Sequence, residues 1–210
     1  MQLLVGLGNP GPSHAKHRHN VGFMAADAIA ARYSFAPFRP KFRGHCSEGT
    51  VGGKKLLILK PQTYMNDSGR SVAEAARFYK VEPDAIFVAH DEIDLKAGKV
   101  RAKQGGSSAG HNGLRSLDDY VGPDYWRIRI GVGRPALAED VVKYVLQNFT
   151  RDDQHWLAPT LVAVAEALPL LLAGDAAGFM TKVALLTAPP KPAKESKTAK
   201  TVGDDGDDGI

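Results

Sequence analysis

The chain has 210 residues, 43% of them apolar and 24% charged, which is the balance of a globular domain with a real core and excludes fibrous and wholly low-complexity classes. Its 27 Lys and Arg exceed its 23 Asp and Glu by four, a surplus that permits a polyanionic partner without requiring one. The single cysteine, Cys46, excludes an internal disulfide and a cysteine-rich zinc module and fits a reducing compartment.

The opening MQLLVGLGNPG has no basic n-region, so no signal peptide is expected. Gln2–Leu7 is a short apolar run ending in a Gly/Pro cluster, a buried strand followed by a loop. Asn20–Tyr33 is Ala-rich and places Val21, Met24, Ala25, Ala28 and Ile29 at helical spacing. Cys46–Val51 and Lys55–Leu59 flank Gly52-Gly53, a hairpin signal. Ser68 to Tyr79 reads as a helix with Ser68 as its N-cap, stopped before Pro83. Ala85–Ala89 is another apolar strand, Lys99–Lys103 alternates polar and apolar, and Asn112–Tyr120 is helical. Trp126–Val132 alternates strictly, and Ala138–Phe149 and Asp153–Leu172 read as helices. Within the last of these, the apolar stretch Leu157–Leu172 is interrupted by Pro159, Glu166 and Pro169 and falls short of the ~20 residues a membrane span needs, so a cytosolic protein without membrane contact is expected.

Strands interleaved with helices predict an α/β fold. The expectation is a single domain over 1–187, with a twisted mixed sheet flanked by helices in three α/β/α layers. From 188 to 210 the composition turns to Pro, Lys, Ser, Gly and Asp with almost nothing to bury, which predicts a disordered tail. Four Lys, one Glu and four Asp give residues 189–210 a net charge of −1, leaving about +5 on the body.

Four features bear on chemistry. Gly6-Leu7-Gly8-Asn9-Pro10-Gly11 satisfies a dinucleotide fingerprint after a strand, but Pro10 and Pro12 remove donors where pyrophosphate would be cradled, and Asp27 comes too early for the ribose. What remains is a tight turn presenting Asn9. His14-x-x-His17-x-His19 gathers three imidazoles without the spacing of a known zinc motif, and no metal is expected. Of the three, His19 stands at the mouth of a helix, where an imidazole oriented by a carboxylate is a suitable general base at neutral pH. A carboxylate is offered by His90-Asp91-Glu92, which follows an apolar strand, although acids after strands also serve as turn and cap residues. Asn9, Asn66 and Asn112 all lie in turn or Gly-rich settings. An Asn amide both donates and accepts, so several together can hold a peptide group or an oxyanion. Finally, Lys99, Arg101 and Lys103 share one strand face, and Arg127 and Arg129 lie opposite the apolar side chains of theirs. They read either as a solvated face or, beside the Gly-rich 105–110 loop, as phosphate-backbone contacts.

Six blocks, VGLGNPG, RHNVG, KPQTYMNDSG, HDEIDL, GGSSAGHNGLRS and RIRIGVGRP, stand in one order between residues 5 and 135 and together resemble bacterial-type peptidyl-tRNA hydrolase. The resemblance implies a monomeric, metal-independent and cofactor-free cytoplasmic esterase with no obligate protein partner. It would cleave the ester between a peptide and the tRNA 3′ end, recycling tRNA lost early from the ribosome. It implies that His19 is the catalytic base, that Asp91 orients it, and that Asn9 tells peptidyl-tRNA from free aminoacyl-tRNA. It further implies that Tyr64, Met65, Asn66, His111 and Asn112 meet the peptide and the 3′ CCA, and that Lys103 and Arg129 meet the tRNA backbone near the acceptor end. The family usually has Tyr five residues before the catalytic His. This chain has His14, a smaller ring at a substrate-contact position.

Two other classes remain open on the sequence: a catalytically silent tRNA- or RNA-binding protein, in which the basic strands matter and His19 does not, and a nucleotide-dependent oxidoreductase. A Ser-based hydrolase is not expected: G-x-S-x-G occurs only as Gly106–Gly110, inside the Gly-rich 105–110 loop.

Overall fold

The structure is a computed structural model, and it describes residues 1–189. All but the first two residues of the expected tail therefore lie outside the described residues. Seven strands form one sheet in the order β2-β3-β4-β1-β5-β7-β6. They are β1 (Gln2–Gly6), β2 (Arg39–Lys41), β3 (Gly44–Val51), β4 (Lys54–Pro61), β5 (Ile86–Glu92), β6 (Val100–Gln104) and β7 (Trp126–Gly131). The four central strands β4, β1, β5 and β7 run parallel, and antiparallel strands close both flanks. Buried on both faces, β1 and β5 are nearly continuous apolar runs, as parallel strands must be.

Six helices cover the sheet: α1 (Val21–Arg32), α2 (Ser68–Tyr79), α3 (Asn112–Val121), α4 (Val141–Val145), α5 (Gln154–Leu172) and α6 (Ala176–Leu186). The apolar core is correspondingly split in two. One half packs α1, α5 and α6 against Leu4, Ile58, Phe87 and Ile128; the other packs α2 and α3 against Leu3, Val5, Leu57 and Val88. Successive residues of β1 thus feed opposite cores, which is the period of two made physical. This is the expected three-layer α/β/α arrangement. Helix α5 is long and apolar enough to cross a membrane by length and composition, and half of its apolar window is buried inside the fold. It runs through both prolines, with Ala163, Val164, Leu168, Leu171 and Leu172 packed in the core.

Several local expectations need correction. Ser68 is the first residue of α2 and not its cap: Asp67 holds the cap position, without a side-chain bond, at the end of a 3-10 turn over Met65–Asp67. The predicted helix over 138–149 is a 3-10 turn at Ala138–Asp140 followed by the short α4. Strand β2 and helix α6 add to the expected elements. The β2–β3 turn is made by Phe42 and Arg43, both left-handed at φ 54° and 52°, where the usual signal would be Asn-Gly. Strand β5 extends three residues beyond Ala89, so His90, Asp91 and Glu92 belong to the strand and do not follow it.

Candidate active site

The site lies at the C-terminal ends of β1 and β5, the crevice that open parallel sheets leave for ligands. What brings His19 there is the close approach of α1. A Cβ on Gly22 would come within 2.3 Å of the Ala89 carbonyl oxygen and 2.4 Å of the Leu7 amide nitrogen, so only glycine lets the helix start directly on the strand ends. His19, on the 3-10 turn Arg18–Asn20 just before α1, is thereby set over the end of β5.

Its ring Nδ1 lies 2.9 Å and 3.0 Å from the two oxygens of Asp91. Facing a carboxylate, Nδ1 carries the proton and donates it, which leaves the lone pair on Nε2. The same carboxylate takes a second imidazole, His111 Nε2, at 3.0 Å from Oδ1. The tautomer of His111 is fixed independently: its Nδ1 accepts from the amides of Gly113 (3.1 Å) and Leu114 (3.3 Å), capping α3, so the proton must be on Nε2. The carboxylate therefore has both neighbours as donors.

Asp91 is only 4% exposed. Burial pushes its carboxyl up, but the charges and hydrogen bonds of His19 and His111 outweigh this and hold it below the ordinary range. For His19 burial works downward, and the Asp91 charge and hydrogen bond overcome it, so its pKa is raised. His90, fully buried beside this pair, has its pKa lowered to about 3 by desolvation and by His111. It stays neutral, with Nδ1 donating to the Asp91 carbonyl at 2.8 Å.

Asn9 is held as firmly. Asn20, buried at the end of the His19 turn, accepts from the Asn9 amide (3.0 Å) and donates to the Asn9 carbonyl (2.9 Å). The Asn9 side-chain oxygen accepts from the Met65 amide at 2.8 Å, leaving its Nδ2 as the free donor. Asn20 is a site residue that the sequence reading passed over, although it stands inside the RHN block. Asn66 and Asn112 are exposed near the starts of α2 and α3. They are drawn together because Gly69 donates its amide to Ser116 Oγ at 2.9 Å, seating α2 on α3. Tyr64 is 70% exposed, while Met65 beneath it is buried.

His19, Asp91, His111, Asn9, Tyr64, Met65, Asn66 and Asn112 line a single cleft of about 630 Å³ that also includes His90, Glu92, the 105–110 loop, Lys103, Arg127, Arg129 and the apolar residues 141, 142, 145 and 146. The basic strands divide. Lys103 is exposed at the rim, and Arg129 is paired to Glu92 at 2.9 Å. Arg127 lines the cleft but is only 3% exposed, and its guanidinium is taken up by the carbonyls of Gly106 (2.6 Å) and Ser107 (2.5 Å) and by Asp118 (3.1 Å), pinning the Gly-rich loop. His14 does not line the cleft. Its Nδ1 donates to the Pro10 carbonyl at 2.7 Å and its ring meets His17 edge-on at 5.2 Å. The Gly6–Gly11 turn leads into a 3-10 turn at Pro12–His14, not into the helix N-terminus that pyrophosphate binding needs.

Among the described residues, the one cluster able to offer three metal-ligand atoms is His19, Asp91 and His111. Its 2.9–3.0 Å spacings are those of direct hydrogen bonds. They are shorter than the edge of about 3.3 Å between tetrahedral zinc ligands with bonds near 2.0–2.1 Å. The arrangement is that of an imidazole whose tautomer is fixed by a twice-bonded carboxylate, beside a cleft lined by asparagines. Chemically, it can deprotonate a water at Nε2 and place that water against a carbonyl held by asparagines.

A family model described as peptidyl-tRNA hydrolase matches residues 3–193. The chain is 58% identical over 188 residues to the peptidyl-tRNA hydrolase of Acidiphilium cryptum, an alignment covering 89% of this chain and 98% of that one. It is 54% identical over 191 residues to that of Rhodospirillum centenum, covering 91% and 84% respectively. Among solved structures it is similar to the peptidyl-tRNA hydrolase of Acinetobacter baumannii, with a TM-score of 0.82 and 37% identity over 87% of this chain and 94% of that one.

Proposed function

The chain belongs to the peptidyl-tRNA hydrolase family and hydrolyses peptidyl-tRNA, and on that premise we propose that His19 is its general base, oriented by Asp91. The observation that carries this assignment is the contact of Nδ1 with both carboxylate oxygens at 2.9 and 3.0 Å, since it commits Nε2 to the cleft. Water deprotonated there attacks the ester carbonyl. The developing imidazolium is stabilised by the Asp91 charge in a poorly hydrated site, and the developing oxyanion by an asparagine amide. His111 donates to Asp91 Oδ1 as a second imidazole, so the carboxylate keeps its orientation as the His19 charge changes.

Asn9 then serves discrimination. A peptidyl substrate brings an amide that exchanges neutral hydrogen bonds with the site asparagines. A free aminoacyl ester brings a cationic ammonium and no such carbonyl, leaving site groups unpaired at ~1–3 kcal/mol each. Tyr64, Met65, Asn66 and Asn112 are read as contacts of the peptide and 3′ CCA, and Lys103 and Arg129 as contacts of the tRNA backbone. The same proposal takes the protein as a cytoplasmic monomer without obligate protein partner or cofactor, with residues 1–187 as its catalytic domain.

The test is release of peptide from N-acetyl-aminoacyl-tRNA in the presence of EDTA, wild type beside His19→Ala. Hydrolysis that persists in EDTA and falls by about a thousandfold in the variant is the expected result. Retained hydrolysis by a folded His19→Ala would remove His19 from the chemistry.

A further inference from the structure

One wall of the cleft is apolar, and the chemistry above makes no use of it. Val141, Val142, Val145 and Leu146 line the cleft from α4 and the residue after it. Val142 is 68% and Leu146 39% exposed. Aliphatic side chains facing water beside a polar reaction centre gain nothing for the fold and are available to an apolar ligand group.

The wall is tied to the catalytic turn by the residue next to His19. Arg18 is 6% exposed. Its guanidinium donates to the Asn148 carbonyl and to Asp153 Oδ2, both at 2.9 Å, and lies 4.4 Å from the centre of the Tyr144 ring and 5.5 Å from that of Phe149. Two backbone bonds join the same segments, Arg18 amide to Gln147 carbonyl (3.0 Å) and Phe149 amide to Lys16 carbonyl (2.9 Å). A planar fork stacked on one ring and bonded at both ends is a fixed spacer, which lysine's point charge would not reproduce.

We propose that the α4 wall is the seat for an apolar side chain of the esterified amino acid, and that Arg18 is the positioning residue that sets this seat against His19. This rests on His19 being the base. In a peptidyl ester the α-carbon is one bond from the carbonyl that His19's water attacks, so its side chain must lie against whatever packs beside His19. The asparagines match the polar peptide groups and the basic rim matches the phosphates. The apolar wall matches the remaining part, a bulky aliphatic or aromatic side chain.

The experiment compares kcat/KM for N-acetyl-phenylalanyl and N-acetyl-glycyl esters carried on the same tRNA, in wild type, Val142→Asn, Arg18→Lys and His19→Ala. Wild type is expected to favour the phenylalanyl ester by about 10-fold, and Val142→Asn, at an exposed position, to reduce that ratio to about 2. Arg18→Lys is expected to reduce the ratio as well, through KM of the phenylalanyl ester, with the acid limb of the pH profile staying in place. Equal kcat/KM for the two esters in wild type, or an unchanged ratio in folded Val142→Asn, overturns the seat. A reduced ratio in Val142→Asn with an unchanged one in folded Arg18→Lys overturns the role of Arg18. If His19→Ala itself retains activity, the assignment beneath the inference is what has failed.

Discussion

On the proposed roles, the cleft lining divides into a reactive end and a recognition end, built on opposite principles. At the reactive end His19, Asp91 and His111 are nearly buried and bonded to one another, and Asn20 and Met65 fix Asn9 from two sides. At the recognition end Tyr64, Asn66, Asn112 and Lys103 are exposed, and none of them has a side-chain hydrogen bond among the described residues. A reacting group must be in place before the substrate arrives, because reorganisation during the reaction raises the barrier. A recognition group gains by keeping its donors free for the ligand. Substitutions at the first end should therefore lower kcat steeply, and those at the second should act on KM, selectivity and salt dependence.

The largest expected effect after His19 itself is that of Asp91→Asn, a loss of kcat of about a hundredfold or more. The sign of its pH effect is fixed by the shifts. As the proposed base, His19 works as the neutral imidazole, and Asp91 raises its pKa, so the acid limb of kcat in the wild type is expected above the ordinary imidazole value of 6.5. Removing the carboxylate charge lets burial dominate, and the acid limb moves to lower pH. In the same pair the depressed Asp91 pKa adds stability above the usual carboxylate range, which is lost as pH falls below it. The raised His19 pKa adds stability below 6.5, which is lost as pH rises through the shifted value. A pH–rate profile of the two proteins checks the shift; a limb that stays in place would separate Asp91 from His19 titration.

Next comes Asn9→Ala, where the comparison is sharpened because Asn9 belongs to the rigid end yet is assigned to recognition. The expected outcome is about a tenfold fall in the preference for N-acetyl-aminoacyl-tRNA over free aminoacyl-tRNA, with a smaller loss of turnover. Collapse of turnover with selectivity intact would move Asn9 into the chemistry. Lys103→Ala should cost only a few-fold in KM and reduce the salt slope of tRNA binding by about one, the signature of a single phosphate contact. Binding titrations at several salt concentrations would expose the error if the slope did not change.

The difference between the ends also governs how much the sequence made legible. The strands, the mixed sheet and most of the helices follow from periodicity and turn residues, and His19 and Asp91 from their chemistry and motifs. What stayed hidden was pairing across distant segments. Arg127 lies at a strand position that alternation marks as polar, so it read as solvated, yet Asp118 and two loop carbonyls satisfy it inside the fold. Asn20 reads as a helix-entry residue until Asn9, eleven positions earlier, is seen in its grasp. Strand β2 carries Pro40 in three residues, and its turn lacks glycine, so no local signal announces it. Local rules report what a residue can do, and only the packing decides which partner it finds.

His14 gives the smallest expected effect and the closest test of the boundary between the two ends. By resemblance position 14 is a substrate contact; in the structure its ring turns back to the Pro10 carbonyl at 2.7 Å and packs on His17, outside the residues lining the cleft. Its bond to Pro10 is part-buried and its 3.5 Å contact with the Ser13 hydroxyl is exposed, so their loss should cost about 0.5 kcal/mol, roughly a twofold change. Asn9 would not follow Pro10, because Asn20 and the Met65 amide hold it independently. Hence His14→Ala should change kcat/KM by no more than about threefold, less than any other substitution named above. His14→Tyr tests reach. If the larger ring improves KM while the alanine variant is nearly silent, position 14 faces the substrate path but imidazole is too short to touch it. A tenfold loss in His14→Ala would instead show that the Pro10 bond governs the Asn9 turn, and the rigid end would extend one residue further than its hydrogen bonds to Asn20 indicate.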